Sequence, residues 1–194
     1  MSVLTPEFRL SYPHLFKPQK NDLNGKMEYS LVAIFKAGAD LTPLIKAATD
    51  ALTEEFGPDK TKWPTPLRSP FRKCKERWKT VEGKLVIPSG YEEGEAIFMT
   101  FKQDSEKGQP QVVDRGVVEI IEPQFIYAGC YCRCSVRPYF YNQKGNKGVS
   151  FGLSNVQKLR DGDPLGMGRT KATDEFSPAG ETEMAATTSE QLFG

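Results

Sequence analysis

Residues 130–141 read Cys-Tyr-Cys-Arg-Cys-Ser-Val-Arg-Pro-Tyr-Phe-Tyr, and two kinds of residue alternate along them. Successive side chains of an extended strand point to opposite faces. One face then carries Cys130, Cys132, Cys134, Val136, Pro138 and Phe140, and the other Tyr131, Arg133, Ser135, Arg137, Tyr139 and Tyr141. The first set is a core face. The second holds three tyrosines and two arginines and no carboxylate. Rings that stack on bases and charges that meet phosphates make a platform for single-stranded nucleic acid. The same residues would also serve to pack beneath a long loop, because tyrosine and arginine both cover apolar surface.

A second constellation is Arg68, Arg72, Lys73, Lys75, Arg77 and Lys79, interleaved with Trp63, Phe71 and Trp78. Only Glu76 is acidic within residues 68–79. A solvated basic loop explains the charge alone; the interleaved aromatics point to nucleic acid. Lys144 and Lys147, in the turn that follows the alternating strand, would extend such a surface.

Cys130, Cys132 and Cys134 raise the question of metal, with Cys74 as a distant fourth thiol. Zinc ligands usually come from tight turns at C-x₂₋₄-C spacing. Positions i and i+4 of one strand lie roughly 13 Å apart, too far to share an ion bound at about 2.3 Å. The expectation is buried, reduced thiols acting as small hydrophobes, with no metal and no cofactor. Catalysis finds little support. His14 is the only histidine and sits at a strand end. Asp161-Gly162-Asp163 reads as a turn. There is no phosphate-binding glycine loop and no nucleophile elbow, so the chain is expected not to be an enzyme.

The elements that would position these residues follow from periodicity and turn chemistry. Residues 5–16 read as a strand ending near Pro13, and 28–35 as a second, joined through Asn21, Asp22, Asn24 and Gly25. Leu44, Ile45, Ala48, Ala51, Leu52 and Phe56 have helical spacing, which predicts a helix over 43–56 with Thr42 as its cap, Pro43 at its first position and Gly57-Pro58 as its stop. A short helix over about 70–79 would align Phe71, Cys74 and Trp78. Residues 97–102, 111–114, 131–141 and 149–159 read as strands, the last two forming a hairpin through 142–148. This is a mainly β pattern with one or two helices and a long inserted loop at 58–95. A small barrel of five strands fits it, and so does a sandwich.

The chain has 194 residues, 38% of them apolar, and a formal charge of +1. That total hides a division. Residues 173–194 hold Asp174, Glu175, Glu181, Glu183 and Glu190 without a basic residue, a charge of −5. The 26 basic and 20 acidic residues of 1–172 leave +6. A basic body suits a polyanion and an acidic tail could compete with it. No packing pattern is present beyond about residue 161, so residues 161–194 are expected to be a disordered tail on a body of residues 1–160. Phe193, close to the end of the acidic segment, could anchor in a partner's pocket or in the chain's own barrel. No apolar run approaches the roughly 20 residues of a membrane span, and MSVLTPEFRL lacks the regions of a signal peptide. The expected setting is a reducing cytoplasm.

Several stretches resemble a family of bacteriophage single-stranded DNA-binding proteins. They are Arg9-Leu10-Ser11-Tyr12-Pro13-His14-Leu15-Phe16, Pro110-Gln111-Val112-Val113-Asp114-Arg115, Tyr127-Ala128-Gly129-Cys130-Tyr131, Gly145-Asn146-Lys147-Gly148 and the block from Leu153 to Gly166. The likeness spans most of residues 8–170. It departs where Pro66-Leu67-Arg68 runs into the basic segment 69–79, and Cys132 and Cys134 are unusual for the family. The resemblance implies an OB-fold core, an acidic C-terminal tail and binding of single-stranded DNA without strong sequence preference. It further implies a role in phage replication or recombination in the bacterial host, with replication or recombination proteins as partners of the tail. On this reading Tyr131, Tyr139 and Tyr141 stack on bases, and Arg133, Arg137, Arg72, Lys73, Lys75 and Arg77 meet phosphates. Arg68, Trp78, Lys144 and Lys147 extend the surface. Self-association stays open, as do two alternatives, a phage structural or scaffold protein and an RNA-binding OB module.

Overall fold

A computed structural model describes residues 2–22, 24–143 and 145–166. Its strands are β1 (Val3–Leu4), β2 (Phe8–Lys20) and β3 (Met27–Phe35), then, after helix α1 (Thr42–Phe56), β4 (Arg72–Lys73), β5 (Lys79–Val81), β6 (Lys84–Val86), β7 (Ile97–Asp104), β8 (Gln111–Val113), β9 (Tyr131–Gln143) and β10 (Asn146–Arg160). The fold is mainly β with one α-helix, and its large sheet is mixed. β2 pairs with β3, β3 with β7 and β9 with β10, all antiparallel; β7 pairs with β10 in parallel. β9 also pairs with β2, so five strands form a circuit that returns to its start. β1 adds to β9, and β8 lies parallel to β10.

Alternation decides what goes inside. On β9 Cys132, Cys134 and Val136 are buried while Arg133 and Arg137 are exposed. On β10 the inward residues are Val149, Phe151 and Leu153, then Val156. The register shift between Leu153 and Asn155 adds one residue and resets the parity. Phe8, Phe35, Phe101 and Phe151, from four different strands, meet edge to face with centroids 5.6 to 6.3 Å apart. Helix α1 presents Leu44, Ala48 and Leu52 to the same core, and Phe56 meets Phe140 at 4.9 Å.

Several elements differ from the expected pattern. Thr42 does not cap α1: it is the first helical residue, and its N–H donates to Asp40 Oδ1 at 3.0 Å. Pro13 does not end β2, because the register breaks between Ser11 and His14 and a proline is tolerated at such a bulge. The helix expected over 70–79 is one 3₁₀ turn, Cys74–Arg77, between short strands. The N–H groups of Cys74 and Lys75 donate to Ala96 and Gly94, 2.8 and 3.1 Å away, rather than along a helix. The hairpin β5–β6 was not anticipated.

The segment 58–96 does not hang free. Cys74, Tyr91 and Ala96 pack on Val32, Ile34 and Phe98 as a second, smaller core on the outer side of β3 and β7. Leu165 joins it. Residues 161–166, assigned by sequence to the tail, run back across the body. Leu165 N–H donates to Ala128 O at 2.8 Å, Arg9 Nη2 to Asp163 O at 2.8 Å, and Tyr127 Oη to Asp161 Oδ1 at 3.0 Å. Among the described residues no helix is long and apolar enough to cross a membrane.

This strap depends on Gly129, whose φ is +117° and where a Cβ would stand 2.1 Å from Asp163 O. Gly129→Ala is expected to cost about 2 kcal/mol or more of stability, from backbone strain and displacement of the strap. Urea unfolding monitored by tryptophan fluorescence measures it.

Candidate nucleic-acid interface

The outward face of β9 divides along its length. At one end Tyr131 is taken up by the protein: the Arg160 guanidinium lies 3.4 Å from its ring centroid, and the backbone of Gly162 lies against its edge. Glu7 holds Arg160 with two oxygens, at 2.7 and 3.3 Å. Arg133 donates from Nε to Gln157 at 2.7 Å. Further on, Arg137 and Tyr139 are open, Tyr139 with 46% exposure. They border a cleft of about 840 Å³. Lys102 and Asp104 of β7, Gly152 to Asn155 of β10, and Asn24, Lys26 and Glu28 on the β2–β3 side form its other walls. A second hollow of about 450 Å³, holding His14, Lys20 and Ser30, adjoins it and shares Glu28 and Lys102.

The charge in the large cleft is positive: Lys26, Lys102, Lys107 and Arg137 against Glu28 and Asp104. Glu28 occupies the middle. Its carboxylate accepts from Asn21 at 2.8 Å and Asn24 at 2.9 Å and pairs with Lys102 at 3.1 Å. Burial pushes the Glu28 carboxyl up, but the hydrogen bonds from Asn24, Asn21 and Lys102 outweigh it and leave it below its ordinary value. Lys26 reaches Asp104 at 2.7 Å. The cleft therefore offers cations, an exposed ring and amide side chains, with two carboxylates that tie down its β2–β3 end.

The remaining sequence-predicted residues gather elsewhere. Arg68 donates its N–H to Lys147 O at 2.8 Å and bridges to Gly148, which faces Tyr141 across the β9–β10 hairpin. Arg68, Lys147 and Tyr141 thus cluster near the hairpin tip. On the inserted segment three of the predicted basic residues have carboxylate partners: Arg72 with Glu76 at 3.0 Å, and Lys73 and Lys75 with Glu95 at 2.5 and 2.7 Å. These two lysines, hydrogen-bonded to it, pull the Glu95 carboxyl down to about 2. Arg72 and Arg77 lie over the Phe98 ring at 5.1 and 4.9 Å. Trp78 donates from Nε1 to Tyr91 O at 2.8 Å, with its ring against Gly94. Lys144, Asp174, Glu175, Glu181, Glu183, Glu190 and Phe193 lie outside the described residues.

The thiols line the core. Cys130 and Cys132 sulfurs are 3.7 Å apart and Cys134 is buried beyond them. Contact with Cys130 and burial push the Cys132 thiol up, and burial does the same to Cys134. Among the described residues no group of three or more His, Cys, Asp or Glu is placed to hold a metal. Sequence reasoning missed Lys26, Lys102 and Lys107. Lys102 had a readable signal: it follows Phe98-Met99-Thr100-Phe101 on the strand face opposite Phe101.

Residues 1–187 match the family model described as Enterobacter phage Enc34, ssDNA-binding protein. The protein p50 of Acyrthosiphon pisum secondary endosymbiont phage 1 is 29% identical over 194 residues, covering 96% of this chain and all of that protein. The structure of the single-stranded DNA-binding protein from bacteriophage Enc34 in complex with ssDNA aligns with a TM-score of 0.63 at 21% identity, over 85% of this chain and 89% of the other. The single-stranded DNA-binding protein gp2.5 of bacteriophage T7 aligns with a TM-score of 0.54 at 16% identity, over 94% and 98%. At these identities the two structures show a shared fold.

The Glu28 arrangement has a pH signature. A carboxyl held lower in the folded state stabilises it above the unfolded value, here 4.5, and that contribution is lost as pH falls through the folded value. Side-chain amide resonances of Asn21 and Asn24 are expected to hold steady above pH 4.5 and to shift together below it. In Glu28→Gln the transition disappears.

Proposed function

The chain belongs to the family of the Enterobacter phage Enc34 ssDNA-binding protein, and from that premise we propose that it binds and shields single-stranded DNA, without catalysis and with little sequence preference. Its setting would be phage DNA replication or recombination in the cytoplasm of the infected bacterial host. The observation that carries this reading is the open cleft with four cations, two carboxylates and the exposed Tyr139. We read the closed circuit β2–β3–β7–β10–β9 as an OB barrel of five strands. Such barrels bind oligonucleotides across their second and third strands and the adjoining loops. Here those strands are β3 and β7, and the cleft lies on the half of their outer face that the inserted segment leaves bare.

The assignments within the sequence-predicted set then separate. Arg137 and Tyr139 contact DNA directly, together with Lys26, Lys102 and Lys107. Tyr141, Arg68, Lys147 and Lys144 would extend the track toward the hairpin tip. Tyr131 and Arg133 hold the strap and β10. Arg72, Lys73, Lys75, Arg77 and Trp78 border the site from the inserted segment, where Glu76 and Glu95 lower the net pull of Arg72, Lys73 and Lys75 on phosphates. Stacking on tyrosine tolerates every base, which accounts for weak sequence preference.

Tyr139→Ala is expected to weaken oligo-dT binding by about 5- to 150-fold, the range for loss of one stacked base, with little change in melting temperature. Tyr131→Ala should instead lower the melting temperature by releasing Arg160. If four phosphates are neutralised, log K falls with log[salt] with a slope of about −3. A gel shift with single-stranded DNA, duplex and RNA of equal length tests the function itself. No shift with single-stranded DNA removes the reading in favour of a structural role, and tighter RNA binding makes this an RNA module.

The acidic residues Asp174, Glu175, Glu181, Glu183 and Glu190 would compete with DNA for the basic cleft, and Phe193 would help recruit replication or recombination proteins once DNA displaces them. Deleting residues 173–194 is expected to tighten single-stranded DNA binding at low salt and to steepen its salt dependence, because salt no longer relieves a competing tail. Equal affinity of the full and shortened chains removes the competition.

A further inference from the structure

Tyr12 is out of place by every local criterion. Its φ is +44°, a left-handed conformation that costs free energy for any residue with a Cβ and is rare for an aromatic one. It sits at the bulge where β2 and β3 lose register between Ser11 and His14. The ring gains no burial in exchange: it is 56% exposed and belongs to neither core. Its neighbours Ser11, at 4% exposure, and Leu10 are buried, so the backbone on that side is fixed and the strain is not a fraying end. Strain without packing to offset it marks positions kept for contact with something else, and bulges re-aim single side chains.

The surroundings indicate what that contact is. Two residues on, His14 lines the smaller hollow, which joins the large cleft at Glu28 and Lys102. On the other side, the charges of Tyr12 and Arg77 both bear on the buried Tyr91 hydroxyl, which puts both residues on the side of the inserted segment. Arg77 has no acidic partner among the described ion pairs, and its Nε has no hydrogen-bond partner. An exposed ring on the same side as a guanidinium without a carboxylate partner, next to a hollow that opens into the positive cleft, suits one nucleotide: the base against the ring and its phosphate toward the cation.

We propose that Tyr12 is a base-stacking residue for single-stranded DNA that leaves the main cleft past His14, with Arg77 meeting the adjoining phosphate. This rests on the DNA-binding reading of the cleft and extends the bound strand to the inserted segment. The left-handed backbone is what turns the ring outward, so the strain is part of the site.

The test uses the full chain and oligo-dT, with fluorescence anisotropy for affinity and thermal melting for fold. Tyr12→Gly and Tyr12→Asn both tolerate the backbone conformation. They should melt at or above the wild-type temperature yet bind about 5- to 150-fold more weakly, while Tyr12→Phe binds like wild type. As a second measurement on the unmutated chain, ultraviolet cross-linking to oligonucleotides carrying 5-bromodeoxyuridine should give an adduct on Tyr12. Folded Gly and Asn variants with wild-type affinity, or adducts on other residues and none on Tyr12, overturn the proposal while leaving the cleft in place. Absence of any binding by the wild type instead overturns the DNA-binding reading.

Discussion

Two residue pairs join β7 to β10, Phe101 with Phe151 and Lys102 with Gly152, and the circuit closes through them. The pairing is parallel, so neither a hairpin nor a shared turn enforces it. What holds it is side-chain contact. Phe101 and Phe151 meet at 6.2 Å and both bury completely, with Phe8 reaching Phe101 from β2. Because side chains alternate, burying those two rings sends Lys102 outward and brings Gly152 to the outer surface. One junction thus sets both the core and the floor of the cleft. A change that slipped β10 by one residue would turn its inward set to solvent and remove the groove in the same step.

The outer face of β3 and β7 has two halves with different tasks. Val32, Ile34 and Phe98 lie under the inserted segment and are buried. Ser30, Lys102 and Glu28 lie beyond it and line the hollows. The inserted segment therefore covers apolar surface that would otherwise be bare, and its edge defines where the groove begins. This explains why Arg72, Lys73, Lys75 and Arg77 are tied to Glu76 and Glu95 and to the face of Phe98. Residues that brace a cover need fixed positions, and exposed ion pairs with stacked guanidinium groups give orientation more than stability.

How far the sequence disclosed this follows from the range of the interactions involved. The inward and outward sets of β9 were legible one by one, because alternation depends only on neighbouring residues and a buried face. Helix α1 was legible for the same reason. The role of Tyr131 was not, since Arg160 reaches it from the far end of β10 and Gly162 from the strap. The basic cluster of residues 72–77 looked unopposed because Glu95 is about twenty positions away in the chain. Its apparent helix failed because Ala96 and Gly94 supply carbonyls to the Cys74 and Lys75 N–H groups, a pairing no local spacing reveals. Lys26 and Lys107 were hidden in turns, where single lysines carry no pattern.

The cleft's carboxylates bear on how the groove works as a binding surface. A groove lined only by cations would repel its own walls and hold its loops loosely. Glu28 neutralises Lys102 in part and fixes Asn21 and Asn24, and Asp104 does the same for Lys26. The groove gives up some Coulomb attraction and gains an ordered shape before any ligand arrives. A preorganised surface loses less entropy on binding, and a smaller net charge makes affinity less dependent on salt. For a surface that is to take up a flexible strand, that balance is more useful than the largest possible charge. On the proposed DNA-binding reading, the two carboxylates are part of the site rather than exceptions to it.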